Sequence, residues 1–456
     1  MSLTLERPLL QVPSQAESPF TPPLYEENVH GADMPRFSHF SGAVALGGEV
    51  FQRNPERQKT LQAIESLAVT VYSPRGQEVY YEAADPGYRR YFTRDSIKTG
   101  MMAGSDKMLQ SQIAFSVQRL GKIENPLTGE EPGKPPHEWP APGELLSPFR
   151  QGRFTTYNAC DTGAILLQGI AARIERGHPD AAEQYGQTIQ RVTSYIKRHT
   201  NRQGLFIEDP AFAGDTARDG RERRFALKVT DWKDSELNRA GCREPHYPIV
   251  YTIAHFQNAN ALQRIGYATG NERLARFGRY MTQQGLAYLW RDNHFVSSVD
   301  GDGEVDSPST DSLEALLYIP PQQLPIGYAK RIEQYSAQLE TDAGYRAGIP
   351  AVPDMDMYHM KVWVHSQAEL NAAACLHNLT NAVAVTERVQ AFIDQDNGVY
   401  PELVDPDTYN LDGNAKQLWA MGADLYFLNP EKSSLLWTPP TRLTRTSFIA
   451  QPLRLR

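Results

Sequence analysis

The stretch Tyr91-Phe-Thr-Arg-Asp-Ser-Ile-Lys-Thr-Gly-Met-Met102 opens with aromatic and charged residues and continues as an apolar helical pattern over about Ser96 to Leu120. The combination recurs along the chain. Phe154-Thr-Thr-Tyr-Asn-Ala-Cys-Asp161 precedes a stripe from Asp161 to Arg176, and Ser307-Pro-Ser-Thr-Asp311 precedes one over Asp311 to Tyr318. Lys361-Val-Trp-Val-His365 leads into Ser366 to Leu379, and Pro401-Glu-Leu through Gln417-Leu-Trp419 leads into Gln417 to Phe427. Asp231-Trp-Lys-Asp-Ser235 is a further segment of this kind. Plainer stripes cover Gln58 to Val71, Ala181 to His199, Val250 to Tyr267, Glu272 to Trp290, Pro325 to Leu339 and Thr386 to Asp394. Roughly a dozen helices follow, punctuated by Gly and Pro, with almost no strand alternation and no repeat of fixed period.

Helices that alternate between an inner and an outer layer around a closed ring all run the same way within each layer. The loops before the inner helices then share one mouth, and every aromatic and charged segment lines one cavity. That arrangement is an all-α (α/α)6 toroid with long structured loops. An ordinary large helical domain with scattered loops accounts for the helix count equally well.

Composition narrows the chemistry. The chain has 456 residues, 40% of them apolar, with 46 Lys and Arg against 54 Asp and Glu and a net charge of −8. No positive field draws it to nucleic acid or anionic lipid, and no run approaches a membrane span. Three cysteines without CxxC spacing fit neither a disulfide framework nor a zinc site. A soluble, cytoplasmic protein is expected. Residues 1–35 read as an extended or disordered arm rich in proline, 36–430 as the helical domain, and 431–456 as a tail.

Sugar chemistry suits these segments. In Asp231-Trp-Lys-Asp-Ser-Glu236 a tryptophan stands beside carboxylates; it can stack on a pyranose face and reduce water near an acid, favouring the proton-donating form. Asp234 is the candidate acid, although the same residues would serve as helix or turn caps. Glu402, between Pro401 and an apolar pair, is the candidate partner. Arg94 and Asp95 offer bidentate hydrogen bonds to vicinal hydroxyls, or a plain helix start. Tyr157, Asn158 and Asp161 form a comparable set, as do Trp363, His365 and Gln367, and Gln417 with Trp419. Nucleotide-cradling glycine motifs and a GxSxG elbow are missing from the sequence, and no matched metal-ligand set appears. The acidic run Asp300-Gly-Asp-Gly-Glu-Val-Asp306 lacks calcium-loop spacing and reads as a solvated loop.

Together the segments resemble the amylo-α-1,6-glucosidase family, the C-terminal catalytic module of glycogen debranching enzymes within the (α/α)6 six-hairpin glycosidases. The resemblance rests on Tyr91-Phe-Thr-Arg-Asp-Ser96, Asn125-Pro-Leu-Thr-Gly-Glu-Glu-Pro-Gly-Lys-Pro-Pro-His-Glu138, Tyr157-Asn-Ala-Cys-Asp-Thr162, Trp232-Lys-Asp-Ser235 and Phe256-Gln-Asn-Ala-Asn-Ala-Leu262. Pro401-Glu-Leu403 followed by Gln417-Leu-Trp-Ala-Met-Gly422 completes it. It implies an inverting exo-acting α-glucosidase without metal or organic cofactor, acting on a carbohydrate partner. Asp234 then resembles the general acid and Glu402 the base. Tyr91, Arg94, Asp95, Tyr157, Asp161, Trp232, Lys233, Trp363, Gln417 and Trp419 would shape the sugar pocket.

Two departures qualify the resemblance. Only about 60 to 75 residues precede the toroid, so transferase activity is not expected. His365 stands where relatives often place proline, which leaves a small glucoside or glucosyl-acid as the expected substrate. A disaccharide phosphorylase on the same toroid is the alternative enzyme, with Glu402 against it. A non-catalytic sugar-binding protein is the alternative outside catalysis.

Overall fold

The computed structural model describes residues 54–73, 76–141, 156–215, 229–234, 236–355 and 357–440. The expected arm over 1–35 and the tail beyond 440 lie outside them. The described α-helices are α1 (Pro55–Glu65), α2 (Thr93–Ala103), α3 (Asp106–Gln118), α4 (Thr162–Glu175), α5 (Asp180–Gln184), α6 (Gly186–Arg198) and α7 (Thr252–Ala268). They continue with α8 (Glu272–Leu289), α9 (Asp311–Tyr318), α10 (Tyr328–Ser336), α11 (Met357–Met360), α12 (Val364–Leu376), α13 (Thr380–Glu387) and α14 (Leu418–Leu428).

Six of these helices form a closed cycle of neighbours: α2 packs on α4, α4 on α7, α7 on α9, α9 on α12, α12 on α14, and α14 on α2. Burial separates them from the rest. Every residue of α2 and of α9 is buried, as are nearly all of α4, α7, α12 and α14. A helix buried all round belongs to the interior of a layered structure. By contrast α1, α3, α6, α8, α10 and α13 bury one stripe each, and they back onto α14, α2, α4, α7, α9 and α12 respectively.

Small residues permit the close approach inside the ring. A Cβ on Gly422 of α14 would stand 3.0 Å from the Thr99 Cα of α2, so the two backbones nearly touch there. Asn and Gln inside the helices satisfy one another across the contact, as where Gln168 Nε2 donates to Asn260 Oδ1 at 3.0 Å.

Short strand pairs tie down the N-terminal ends of the inner helices. Tyr91–Phe92 pairs antiparallel with Glu138–Trp139 just ahead of α2, and Val250–Tyr251 pairs with the Ser298–Asp300 strand ahead of α7. Val362–Trp363 pairs with Leu403–Val404 ahead of α12, and Lys416–Gln417 with Ala84–Asp85 ahead of α14. These strands, and the hairpin of Ala68–Ser73 with Gly76–Tyr81, correct the expectation of an almost strand-free chain. Helix α1 accordingly ends at Glu65 rather than Val71. The single helix expected over Ser96 to Leu120 is broken at Gly104, and α13 begins six residues before the expected Thr386 start.

The described chain keeps its contacts with the helices beyond residue 430. Ser434 N donates to Met101 O at 2.9 Å, Leu435 is buried, and Trp437 packs on Tyr267 with ring centroids 6.0 Å apart. Residues 431–440 thus belong to the helical body. The acidic 300–306 segment is not freely solvated either: Asp300 takes a bidentate fork from Arg239 at 2.8 and 3.0 Å, and Glu304 pairs with Arg291 and Asp306 with His294.

Candidate active site

The N-terminal turns of the inner helices carry the polar residues. Arg94 and Asp95 lie in the first turn of α2, Asp161 directly precedes α4, Asp311 opens α9, His365 follows the first residue of α12, and Trp419 that of α14. Contacts link these turns: Arg94 pairs with Asp161, and His365 stacks on Trp419.

Arg94 and Asp161 are 3% exposed each and form a fork, Nε to Oδ2 at 2.7 Å and Nη2 to Oδ1 at 3.1 Å. Burial opposes ionisation of Asp161, but the Arg94 charge and hydrogen bonds outweigh it and hold the carboxyl below its ordinary range. Lys233 is likewise fixed. Its ammonium pairs with Asp311 and lies 5.0 Å from the Trp232 ring, so the lysine braces its loop against α9.

Asp234 follows directly in the chain. Burial pushes its carboxyl up to about 6, against the pull of the Arg94 charge and a hydrogen bond from the Tyr358 hydroxyl. On the neighbouring strand connection, Glu402 Oε2 accepts from Asn414 N at 3.0 Å and from Asn414 Nδ2 at 2.8 Å. Burial nevertheless raises Glu402 above its ordinary range. Both Asn414 donors fall on one oxygen of the carboxylate, Oε2.

The two carboxyl groups act on common neighbours. Their charges both raise the phenol of Tyr358, and both reach Tyr88, a residue 49% exposed at the rim. Asp95 belongs to the same field: burial pushes it up to about 7, with Arg94 opposing and Glu402 adding to the shift. Five acidic or phenolic groups therefore crowd one region in which ionisation is costly, a pattern that marks functional sites.

Aromatic rings wall the region. Trp363 stacks on Tyr358 with centroids 4.7 Å apart and meets Trp232 edge-on at 5.8 Å. His365 lies flat on Trp419 at 3.6 Å with 9° between the planes. Gln417 is buried one residue before α14, its backbone paired to the Ala84 strand.

Two expected pocket residues make contacts within the scaffold. Tyr91 is fully buried between Tyr80 and Phe115, with its hydroxyl against Gln112 O and Ser116 Oγ. Neighbouring strand residues point to opposite sides, so Phe92 instead meets Tyr88 and His137. Tyr157 donates its hydroxyl to Arg119 O at 2.8 Å beyond the end of α3, anchoring the loop before α4. Tyr88, Tyr358 and Asn414 are neighbours that sequence reading missed. None stands in a dense motif, and only the fold brings them to Asp234 and Glu402. Among the described residues no cluster of His, Cys, Asp and Glu is arranged to hold a metal, and no helix is long and apolar enough to cross a membrane.

No family model matches the sequence, and no curated protein matches it. Solved structures do. The GH63 mannosylglycerate hydrolase from Thermus thermophilus, in complex with Tris and D-glycerate, superposes with a TM-score of 0.57 at 12% identity, over 82% of this chain and 100% of that one. Its complex with glucose gives 0.58 at 12% identity and the same coverage. A rhamnosidase from Klebsiella oxytoca with rhamnose bound gives 0.51 at 11% identity, over 83% of this chain and 64% of that one. What they share is the fold. The similarity spans most of the chain, and in this chain that fold holds the charged and aromatic residues at the N-terminal turns of the inner helices.

Proposed function

We propose that this chain is a glycoside hydrolase whose ring of six buried helices is the barrel of a six-hairpin (α/α)6 toroid. The observation that carries the reading is the pair Asp234 and Glu402, two half-buried carboxyl groups on separate loops whose charges act on the same Tyr358 and Tyr88. Hydrolysis of a glycosidic bond requires two such groups on opposite sides of the anomeric carbon. The fold it shares with the mannosylglycerate hydrolase and the rhamnosidase supports the same class of chemistry.

In this reading a terminal α-linked glucose enters the ring from the Tyr88 rim and is held by Arg94, Asp95, Asp161 and the tryptophan wall. Asp234, protonated up to about pH 6, gives its proton to the glycosidic oxygen as the bond to the anomeric carbon breaks. Glu402 takes a proton from water, and the water oxygen bonds to that carbon from the opposite face. The product is a sugar of inverted configuration and a free alcohol, and Asp234 recovers its proton from solvent while Glu402 releases one. Asn414 on Oε2 keeps Glu402 aimed during the exchange.

The test is a panel of α- and β-glucosides, glucosylglycerate and mannosylglycerate, incubated with and without phosphate and followed by NMR from the first minute. Inverting hydrolysis of an α-glucoside yields β-glucose first, at a rate indifferent to phosphate. Release of α-glucose first would overturn the inverting course, and a sugar phosphate formed only with phosphate would overturn hydrolysis.

A further inference from the structure

His365 has an environment that its place in the helix does not explain. It is 1% exposed, stacked on Trp419, and set edge-on to Trp232 at 5.2 Å and to Trp363 at 6.0 Å. Among the described residues neither ring nitrogen has a hydrogen-bond partner, and the indole Nε1 atoms of Trp232 and Trp363 beside it are also unpartnered. A buried polar atom without a partner costs free energy that folding does not recover. Three aromatic side chains packed against one another all leave their polar atoms unpaired, so the same missing partner accounts for all of them.

The chemistry of that partner follows from the groups present. Burial, aided by the Lys98 and Arg94 charges, holds His365 neutral. A neutral imidazole presents one donor and one acceptor. The indoles present donors only. A cation is repelled by Lys98 and Arg94 and cannot accept from the indoles; a carboxylate accepts but gives nothing to the imidazole lone pair. A hydroxyl both donates and accepts, and a ring carrying several hydroxyls has apolar faces for the tryptophans.

We propose that His365 is a specificity-determining residue that reads a hydroxyl of the sugar ring bound beside Asp234 and Glu402, with the Trp232 and Trp363 indoles donating to its neighbours. The inference rests on the glycosidase reading and adds a residue that reading does not require. A positioned donor and acceptor pair of this kind rejects a ring lacking the hydroxyl, because the buried site groups are then left unpaired.

Binding of D-glucose and its 2-, 3-, 4- and 6-deoxy derivatives to the wild-type chain, by titration calorimetry, tests this without turnover. One deoxy sugar should bind about 10- to 100-fold more weakly than glucose. His365→Phe, which keeps the stack on Trp419, should bind that deoxy sugar and glucose equally while melting at the same or a higher temperature. His365→Gln, with a donor and an acceptor, should keep part of the discrimination. Unchanged discrimination in His365→Phe, or equal loss in the Phe and Gln variants, would overturn the role of His365 alone. Failure of the wild-type chain to bind any of the sugars would overturn the sugar site and the proposal with it.

Discussion

Arg94 and Asp161 join the N-terminal turns of α2 and α4 through two parallel hydrogen bonds in a region closed to solvent. Removing one member of a buried pair strands the other charge, which costs about 3 to 5 kcal/mol. Asp161→Ala should therefore lower stability by that order in thermal or urea unfolding and abolish activity together with it. Arg94→Lys keeps the charge and loses the fork; it should cost less stability but still reduce kcat/KM by at least tenfold. A stability change under about 1 kcal/mol for Asp161→Ala would mean that the pair is hydrated.

The raised carboxyl of Asp234 gives opposite signs for activity and stability. As a proton donor it should lose kcat/KM as pH rises through about 6. A folded-state value above the ordinary 3.8 means that the native chain holds this proton more tightly than the unfolded chain. Stability from this group is then present below about pH 4 and declines between about 4 and 6. Asp234→Asn should cut turnover by a factor of about 10² to 10⁴. Its melting temperature relative to wild type should improve from pH 4 to pH 7. A variant that keeps most of the activity would remove Asp234 from the chemistry.

How far the sequence could be read depended on how local each signal was. Helix α9 has the expected Asp311–Tyr318 bounds, because its stripe and its start are contiguous in the chain. The helix-opening segments with Arg94, Asp161 and Trp419 were visible for the same reason. The contacts of Tyr91 and Tyr157 with Ser116 and Arg119 are not legible in the sequence, because a two-residue strand and a loop are too short for side-chain direction to be read from periodicity. Tyr358 and Asn414 stay hidden until the chain closes, since their partners Asp234 and Glu402 lie across loops rather than along one helix face.

Asn414 offers a separate handle on Glu402. Its two hydrogen bonds favour the ionised carboxylate and oppose the effect of burial. Asn414→Ala removes the side-chain bond and should raise the Glu402 value further. Glu402 works as a carboxylate, so the acidic limb of the pH–rate profile should move to higher pH and narrow the active range from below. Glu402→Gln should lose that limb along with most of the turnover. An acidic limb unmoved in Asn414→Ala would mean that it belongs to another group, with Asp95 the nearest candidate.

Gly104 decides where the inner helix stops and the outer one starts. It has φ of +64°, and an added Cβ would stand 2.6 Å from the Lys432 carbonyl oxygen. The Gly104 carbonyl also accepts from Arg176, so the turn is held between the start of α3, the end of α4 and the segment after α14. An alanine here meets an unfavourable backbone region, at about 1 kcal/mol, and a backbone oxygen that cannot rotate away. Gly104→Ala should therefore cost about 2 kcal/mol or more, seen as a lower melting temperature. The α2 N-terminus with Arg94 lies a full helix length away, so substrate affinity in the folded fraction should be unaltered. Gly104→Ala with wild-type melting would show that the 430–435 segment shifts freely, and that its contact with Met101 contributes little to closing the ring.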